Sequence, residues 1–108
     1  MTIRLLCLGK LKDRHWIEAA AEYEKRLSRY CALETLELPD EKAPETLSPA
    51  QQDQVKAREG ERLLGRISPQ DYVIALCVDG QALSSEGFAA RLEALQGGVK
   101  RPCFVIGG

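Results

Sequence analysis

Two adjacent glycines after an apolar run are the residues whose type and placement best suit ligand chemistry. Pro102-Cys103-Phe104-Val105-Ile106 reads as a short strand, and Gly107-Gly108 follows it. The loop just past a strand's carboxyl end is where parallel α/β sheets bind ligands. Glycine there lets the backbone approach a ligand closely or take a positive φ. A site that opens in this way needs a further segment to close it. The expectation from sequence is therefore that the natural protein is longer than these 108 residues.

The other chemistry-bearing residues each have a plainer reading. Asp79 follows the third apolar run, where receiver domains carry a phospho-accepting aspartate. Such domains also need acidic residues after the first strand to hold Mg²⁺, and Cys7-Leu8-Gly9 stands there instead. No G-x-G-x-x-G follows the first strand, so the dinucleotide fingerprint is absent. His15, the single histidine, has no nucleophile motif or second ligand and reads as an exposed helix residue. Trp16, Tyr23 and Tyr30 have the chemistry to stack on bases, but their helical spacing favours core packing. Cys7, Cys31, Cys77 and Cys103 form no CxxC or Cys/His cluster. They read as small buried hydrophobes with free thiols rather than metal ligands. The carboxylates are scattered, and none is identified as a catalytic acid or base.

The elements that must position these residues alternate regularly. Thr2–Leu8 is rich in strand formers and closes at Gly9. Asp13 is placed to cap a helix whose apolar positions Trp16, Ala20, Tyr23, Leu27 and Tyr30 make one stripe. Ala32–Leu38 alternates apolar residues with Glu34 and Glu37 and ends at Pro39, as a second strand does. Asp40–Leu47 is acidic and Pro-containing, which suits an exposed loop. Ser48-Pro49-Ala50-Gln51 opens a second helix, with a serine cap, proline in the first turn and a capping-box glutamine. It should run to about Arg66. Asp71–Val78 is a nearly continuous apolar run, the pattern of a strand buried on both faces, and Asp79-Gly80 turns the chain. Ser84 or Ser85 caps a third helix with Phe88, Leu92 and Leu95 on its core side, and Gly97-Gly98 ends it. Pro102–Ile106 is the fourth strand.

The order β-α-β-α-β-α-β predicts an α/β fold. It implies a parallel sheet, right-handed crossovers and helices on both faces. The length suits one domain spanning residues 1–108. Four strands with three helices should leave part of an apolar sheet uncovered, which also argues for a longer natural protein. Composition is ordinary for a soluble chain, 44% hydrophobic and 29% charged. The longest apolar run, Tyr72–Val78, is far short of a membrane span. Free thiols without an export signal suggest the cytoplasm. Net charge is −1, which excludes a generic polyanion binder. Residues 1–30 nevertheless hold seven Lys/Arg against four Asp/Glu, and residues 31–60 three against seven. A modest basic face near the first helix is compatible with nucleic acid, although a solvated helix face is the commoner origin of such a bias.

Several stretches together resemble one bacterial family. They are Leu8-Gly9-Lys10-Leu11-Lys12, Tyr23-Glu24-Lys25-Arg26-Leu27 and Glu59-Gly60-Glu61-Arg62-Leu63-Leu64. Further along come Leu76-Cys77-Val78-Asp79-Gly80, Leu83-Ser84-Ser85-Glu86-Gly87-Phe88-Ala89 and Phe104-Val105-Ile106-Gly107-Gly108. In this order they are similar to the RlmH-type 23S rRNA pseudouridine N3-methyltransferases of the SPOUT class. The resemblance implies a homodimeric enzyme that moves a methyl group from S-adenosylmethionine to N3 of a pseudouridine of 23S rRNA in the assembled ribosome, with no metal. It implies a SPOUT-like Rossmannoid fold whose cofactor pocket is a C-terminal trefoil knot. Leu76, Gly107 and Gly108 match cofactor-binding positions. The family continues past the glycine pair for roughly another third of the chain. By that comparison the 108 residues alone should bind the cofactor weakly or not at all, leave the reaction uncatalysed and expose sticky apolar surface.

Methyl transfer from a sulfonium depends mainly on alignment, and docking on a ribosome is mostly phosphate contact. Arg4, Lys10, Lys12, Arg14, Lys25, Arg26 and Arg29 are the basic candidates for it. Two readings of other classes stand beside the enzyme. One is a carrier activated at its terminal diglycine, although such carriers have a β-grasp fold and a flexible tail before the glycines. The other is a non-catalytic α/β interaction module.

Overall fold

The computed structural model describes residues 1–40, 46–98 and 100–107. The element order is the expected one: β1 (Thr2–Leu8), α1 (Arg14–Leu27), β2 (Ala32–Leu38), α2 (Pro49–Leu64), β3 (Asp71–Leu76), α3 (Ser85–Leu95) and β4 (Arg101–Ile106). All strand pairings are parallel, in the order β2-β1-β4-β3. Most of the expected loop Asp40–Leu47 lies outside the described residues.

Register assigns the two faces of the sheet. Arg4 pairs with Glu34 and Cys103, and Cys103 with Val73, so these side chains share one face with Leu6, Leu38, Val105 and Asp71. Leu5 pairs with Thr35 and Phe104, and Phe104 with Ile74, which places them on the other face. Phe88 of α3 packs its ring 5.9 Å from that of Phe104, and Glu24 of α1 meets Thr35 Oγ1 at 3.4 Å. Arg4 donates to the carbonyl of Arg66, just past α2, and Arg62 of α2 donates to that of Pro39. Hence α1 and α3 lie on one face and α2 on the other, as three crossovers of the same hand require.

The ends of the elements are set by local chemistry. Ser48 and Gln51 form the full capping box, with the Gln51 amide donating to Ser48 Oγ and the Ser48 amide to Gln51 Oε1. Ser84, not Ser85, caps α3 by accepting from the Gly87 amide at 3.0 Å. Asp13 occupies the cap position of α1, but its side chain makes no cap bond. Its carbonyl instead accepts from the amides of Trp16 and Ile17. Gly65 caps α2, which ends at Leu64, two residues before the expected Arg66. β4 starts one residue early because the Arg101 amide donates to the Gln70 carbonyl at 2.8 Å. Gly9 takes φ +84° after β1, and its amide donates to Leu38 O at 2.7 Å, joining the β1–α1 turn to the end of β2. G9A should lower stability by about 1–2 kcal/mol, the cost of a side chain in left-handed backbone. Urea unfolding checks this, and an unchanged midpoint would count against it.

The core is thinner than the sequence implied. Leu6, Leu38, Pro102, Cys103 and Phe104 are buried in it. Trp16, Tyr23 and Tyr30 are exposed, Tyr30 at 81%, which corrects the expectation that they pack inside. A helical stripe shows that one flank is apolar but not what lies opposite, and α1 rests on β2, an edge strand. The same limit applies to β3. Its apolar run promised burial on both faces, yet it stops at Leu76 and forms the other edge, with Tyr72, Val73 and Leu76 exposed. Cys77 falls just past that strand and is exposed, against the buried reading. Cys103 is buried, while Cys7 and Cys31 are half-buried. All four thiols are free. No helix among the described residues is long and apolar enough to cross a membrane.

Candidate functional site

Two polar or ligand-facing places stand out at opposite ends of the sheet. At the amino end, three strands meet in a buried charge cluster. Asp71 opens β3, and its side chain is fully buried. One carboxylate oxygen accepts from Arg4 Nη1 at 2.6 Å and from the Ser68 amide at 2.8 Å. The other accepts from Arg101 Nε at 2.6 Å. Burial pushes the Asp71 carboxyl up. The Ser68 amide and the Arg101 and Arg4 guanidinium groups outweigh burial, and hold it below the usual carboxylate value. Arg4 is itself buried and also donates to the Arg66 carbonyl. Its Nε makes no hydrogen bond, because Glu34 Oε2 stands 3.6 Å away, an ion-pair distance too long for one. Arg4 is thus removed from the list of phosphate contacts.

Sequence reading passed over this cluster, although a signal was present. Arg4 sits inside an apolar strand and Asp71 heads another, and buried charges are rarely unpaired. What the sequence lacked was the strand order, which brings β1 and β3 to either side of β4.

At the carboxyl end, Leu76 closes β3 directly opposite Ile106, the last residue of β4. Both are partly exposed, at 49% and 38%. Gly107 follows Ile106 and is exposed. Its φ is not positive, and a Cβ built on it meets no atom within 4 Å. Neither backbone strain nor the packing of the described residues therefore demands glycine at 107. Gly108 lies outside the described residues. Beyond Leu76, Cys77 to Gly80 make a turn in which the Gly80 amide donates to the Cys77 carbonyl, and Val78 and Asp79 are exposed. His15 is exposed, as expected, with its ring 4.9 Å from that of Trp16.

Two hollows lie away from this rim. One, about 540 Å³, runs between α1 and β2 beside Glu24, Ser28, Cys31 and Thr35. The other, about 340 Å³, lies between α3 and β3 beside Tyr72, Phe88, Arg91 and Leu95. Both are shallow and open on the edge strands, whereas the rim joins β3 to the interior strand β4 where ligands of such sheets bind. Among the described residues no three His, Cys, Asp or Glu side chains gather as metal ligands.

A parallel four-stranded sheet joined by helical crossovers defines an α/β domain of the Rossmann-like kind. The comparison with known proteins narrows the class. A family model described as "Predicted SPOUT methyltransferase" matches residues 1–108. The chain belongs to the SPOUT methyltransferase family. It is 49% identical over 109 aligned residues to the "Ribosomal RNA large subunit methyltransferase H" of Lactobacillus delbrueckii subsp. bulgaricus, a match that takes in all of this chain and 69% of that protein. It is 48% identical to the protein of the same name from Leuconostoc mesenteroides subsp. mesenteroides, again over all of this chain and 69% of the relative.

Proposed function

We propose that the protein to which these 108 residues belong transfers a methyl group from S-adenosylmethionine to N3 of a pseudouridine in 23S rRNA, working as a homodimer on the assembled ribosome in the cytoplasm. In this reading residues 1–108 belong to one SPOUT domain. The observation that carries it is the family match along the whole chain, joined to close similarity with proteins named for methylating large-subunit rRNA. The all-parallel sheet order speaks against the diglycine carrier, whose β-grasp fold it does not share.

The residues present fit the cofactor. An adenosine needs an apolar wall and a backbone it can approach closely. Leu76 and Ile106 offer the wall side by side, and the space around the Gly107 Cα is open. Leu76, Gly107 and Gly108 are the residues we assign to cofactor binding. When bound, S-adenosylmethionine supplies an electrophilic methyl on a sulfonium. The protein's part is alignment: β3 and β4 fix the rim in register, and Leu76 and Ile106 keep water from one side of it. The exposed apolar flank of α1, with Trp16 and Tyr23, supports the homodimer reading, since apolar surface of that kind commonly marks a protein contact.

The test is methyl transfer. The protein as its gene encodes it would be incubated with ribosomes lacking the modification and with labelled S-adenosylmethionine. Label in 23S rRNA, mapped to N3 of a pseudouridine by mass spectrometry, is the expected result. Ribosomes that stay unlabelled while the protein is folded would overturn the proposal and leave the interaction-module reading in its place.

A further inference from the structure

By charge alone, seven basic side chains of residues 1–30 qualify for phosphate contact. The fold separates them. Arg4 is buried against Asp71. Arg14 pairs with Glu18 at 3.1 Å, and Arg26 pairs with Glu22 at 3.1 Å while lying over the Tyr23 ring. Lys25 and Arg29 lie at or just past the last turn of α1. That end sits at the amino edge of the sheet, because β2 begins soon after with Ala32 opposite Thr2, and the Ala32 amide donates to the Met1 carbonyl. The rim formed by Leu76, Ile106 and Gly107 is at the other edge.

Lys10 and Lys12 remain. Both are exposed, in the loop between β1 and α1, and no hydrogen bond or ion pair engages either ammonium among the described residues. Their placement follows from register. Cys7 pairs with Ile106, so Leu8, the last residue of β1, stands level with Gly107, the first residue past β4. Adjacent strands are about 5 Å apart. Gly9 then turns the chain with its positive φ, pinned by its bond to Leu38 O. The two lysines thus begin within a few residues of the rim, on the side of β4 opposite Leu76. Asp13 and Asp40 share this edge, Asp40 with its carboxylate beside Gly9, and both temper the local field. A lysine ammonium on a flexible stem is a compact point charge able to meet a phosphate oxygen. Two of them, two residues apart, match neighbouring phosphates along one RNA strand.

The geometry points to Lys10 and Lys12 as the residues that hold the RNA backbone beside the substrate nucleotide at the methyl-donor rim. This rests on the proposed rRNA methylation. Lys25 and Arg29, at the far edge of the sheet, take no part in this contact, and Lys10 and Lys12 set where the strand lies relative to Gly107.

The test measures ribosome binding against salt for four proteins: wild type, K10Q/K12Q, the charge-restoring K10R/K12R, and K25Q/R29Q at the far edge. Each phosphate contact adds about 0.7–0.9 to the slope of log affinity against log salt. Between 50 and 200 mM salt, K10Q/K12Q should therefore lose about tenfold less affinity than wild type. Its methylation rate at subsaturating ribosome should fall at least tenfold. K10R/K12R should restore both, and K25Q/R29Q should keep the wild-type rate. Thermal melts of all four should coincide, because the substituted side chains are exposed and make no hydrogen bond or ion pair among the described residues. Wild-type slope and rate in K10Q/K12Q, beside an active wild type, would overturn the assignment alone. A wild type that neither binds nor methylates ribosomes would overturn it together with the proposed function.

Discussion

Replacing Asp71 by asparagine is expected to lower the unfolding free energy by about 3–5 kcal/mol, the cost of breaking a buried ion pair and leaving the partner charges uncompensated. The magnitude follows from the geometry. Asp71 is fully buried and takes two guanidinium groups and one backbone amide. An asparagine oxygen could replace one of these acceptors, but its amide nitrogen would then face a guanidinium donor. Arg4, already short of a partner at Nε, would lose its strongest one. Arg101, about one-third exposed, would relax toward water more easily. Urea denaturation of D71N against wild type checks this, and a difference below about 1 kcal/mol would show that water or Glu34 replaces the lost charge. The same cluster sets an acid limit. The Asp71 carboxyl sits below its usual value when folded, so the folded state favours the ionised form. Its contribution is therefore complete above the ordinary carboxylate pKa of about 3.9 and is lost as pH falls through the lowered value. D71N should lack that acid-sensitive component, so its stability relative to wild type should improve as pH drops below about 4.

Substitution at Gly107 should have the opposite profile, with little change in stability and a large loss of ligand. G107V adds a Cβ that meets no described atom within 4 Å beyond its chain neighbours, at a φ open to any L-residue. Its melting should stay within about 0.5 kcal/mol of wild type, as for surface changes generally. If an adenosine seats on that backbone, the added methyl groups occupy its place, and affinity for S-adenosylmethionine should fall at least tenfold, about 1.4 kcal/mol. G107A should fall between the two. Calorimetric titration of the protein as its gene encodes it reads the affinity, and a parallel melt separates binding from folding. Equal affinity in wild type and G107V would remove Gly107 from the cofactor assignment while leaving the family membership untouched.

These two variants probe ends of the sheet that differed in how readable they were. The carboxyl rim was legible because its signals are local: an apolar run, a glycine pair directly after it, and a turn at Asp79-Gly80. The Ser48 capping box was legible for the same reason, since its bonds span three residues. The Asp71 cluster was not, because its members come from positions 4, 68, 71 and 101. Nothing in the spacing of those residues says that they converge.

The sequence by itself determined the kinds of element, their alternation and the parallel sheet they imply. Period, caps and breakers act within a turn or a strand, where neighbouring residues settle the backbone. It also carried the family resemblance, through short motifs in a set order. The tertiary structure alone decided which strands are interior. That decision exposes Leu76 and Tyr72 on an edge strand despite their apolar run, and it buries Cys103 and Phe104 on β4. It likewise turned Arg4 from a surface cation into a buried partner of Asp71, and left Lys10 and Lys12 exposed in the loop after β1. Hydrophobicity states what a residue prefers to touch. Whether a neighbour is there to be touched depends on strand order, which long-range pairing fixes.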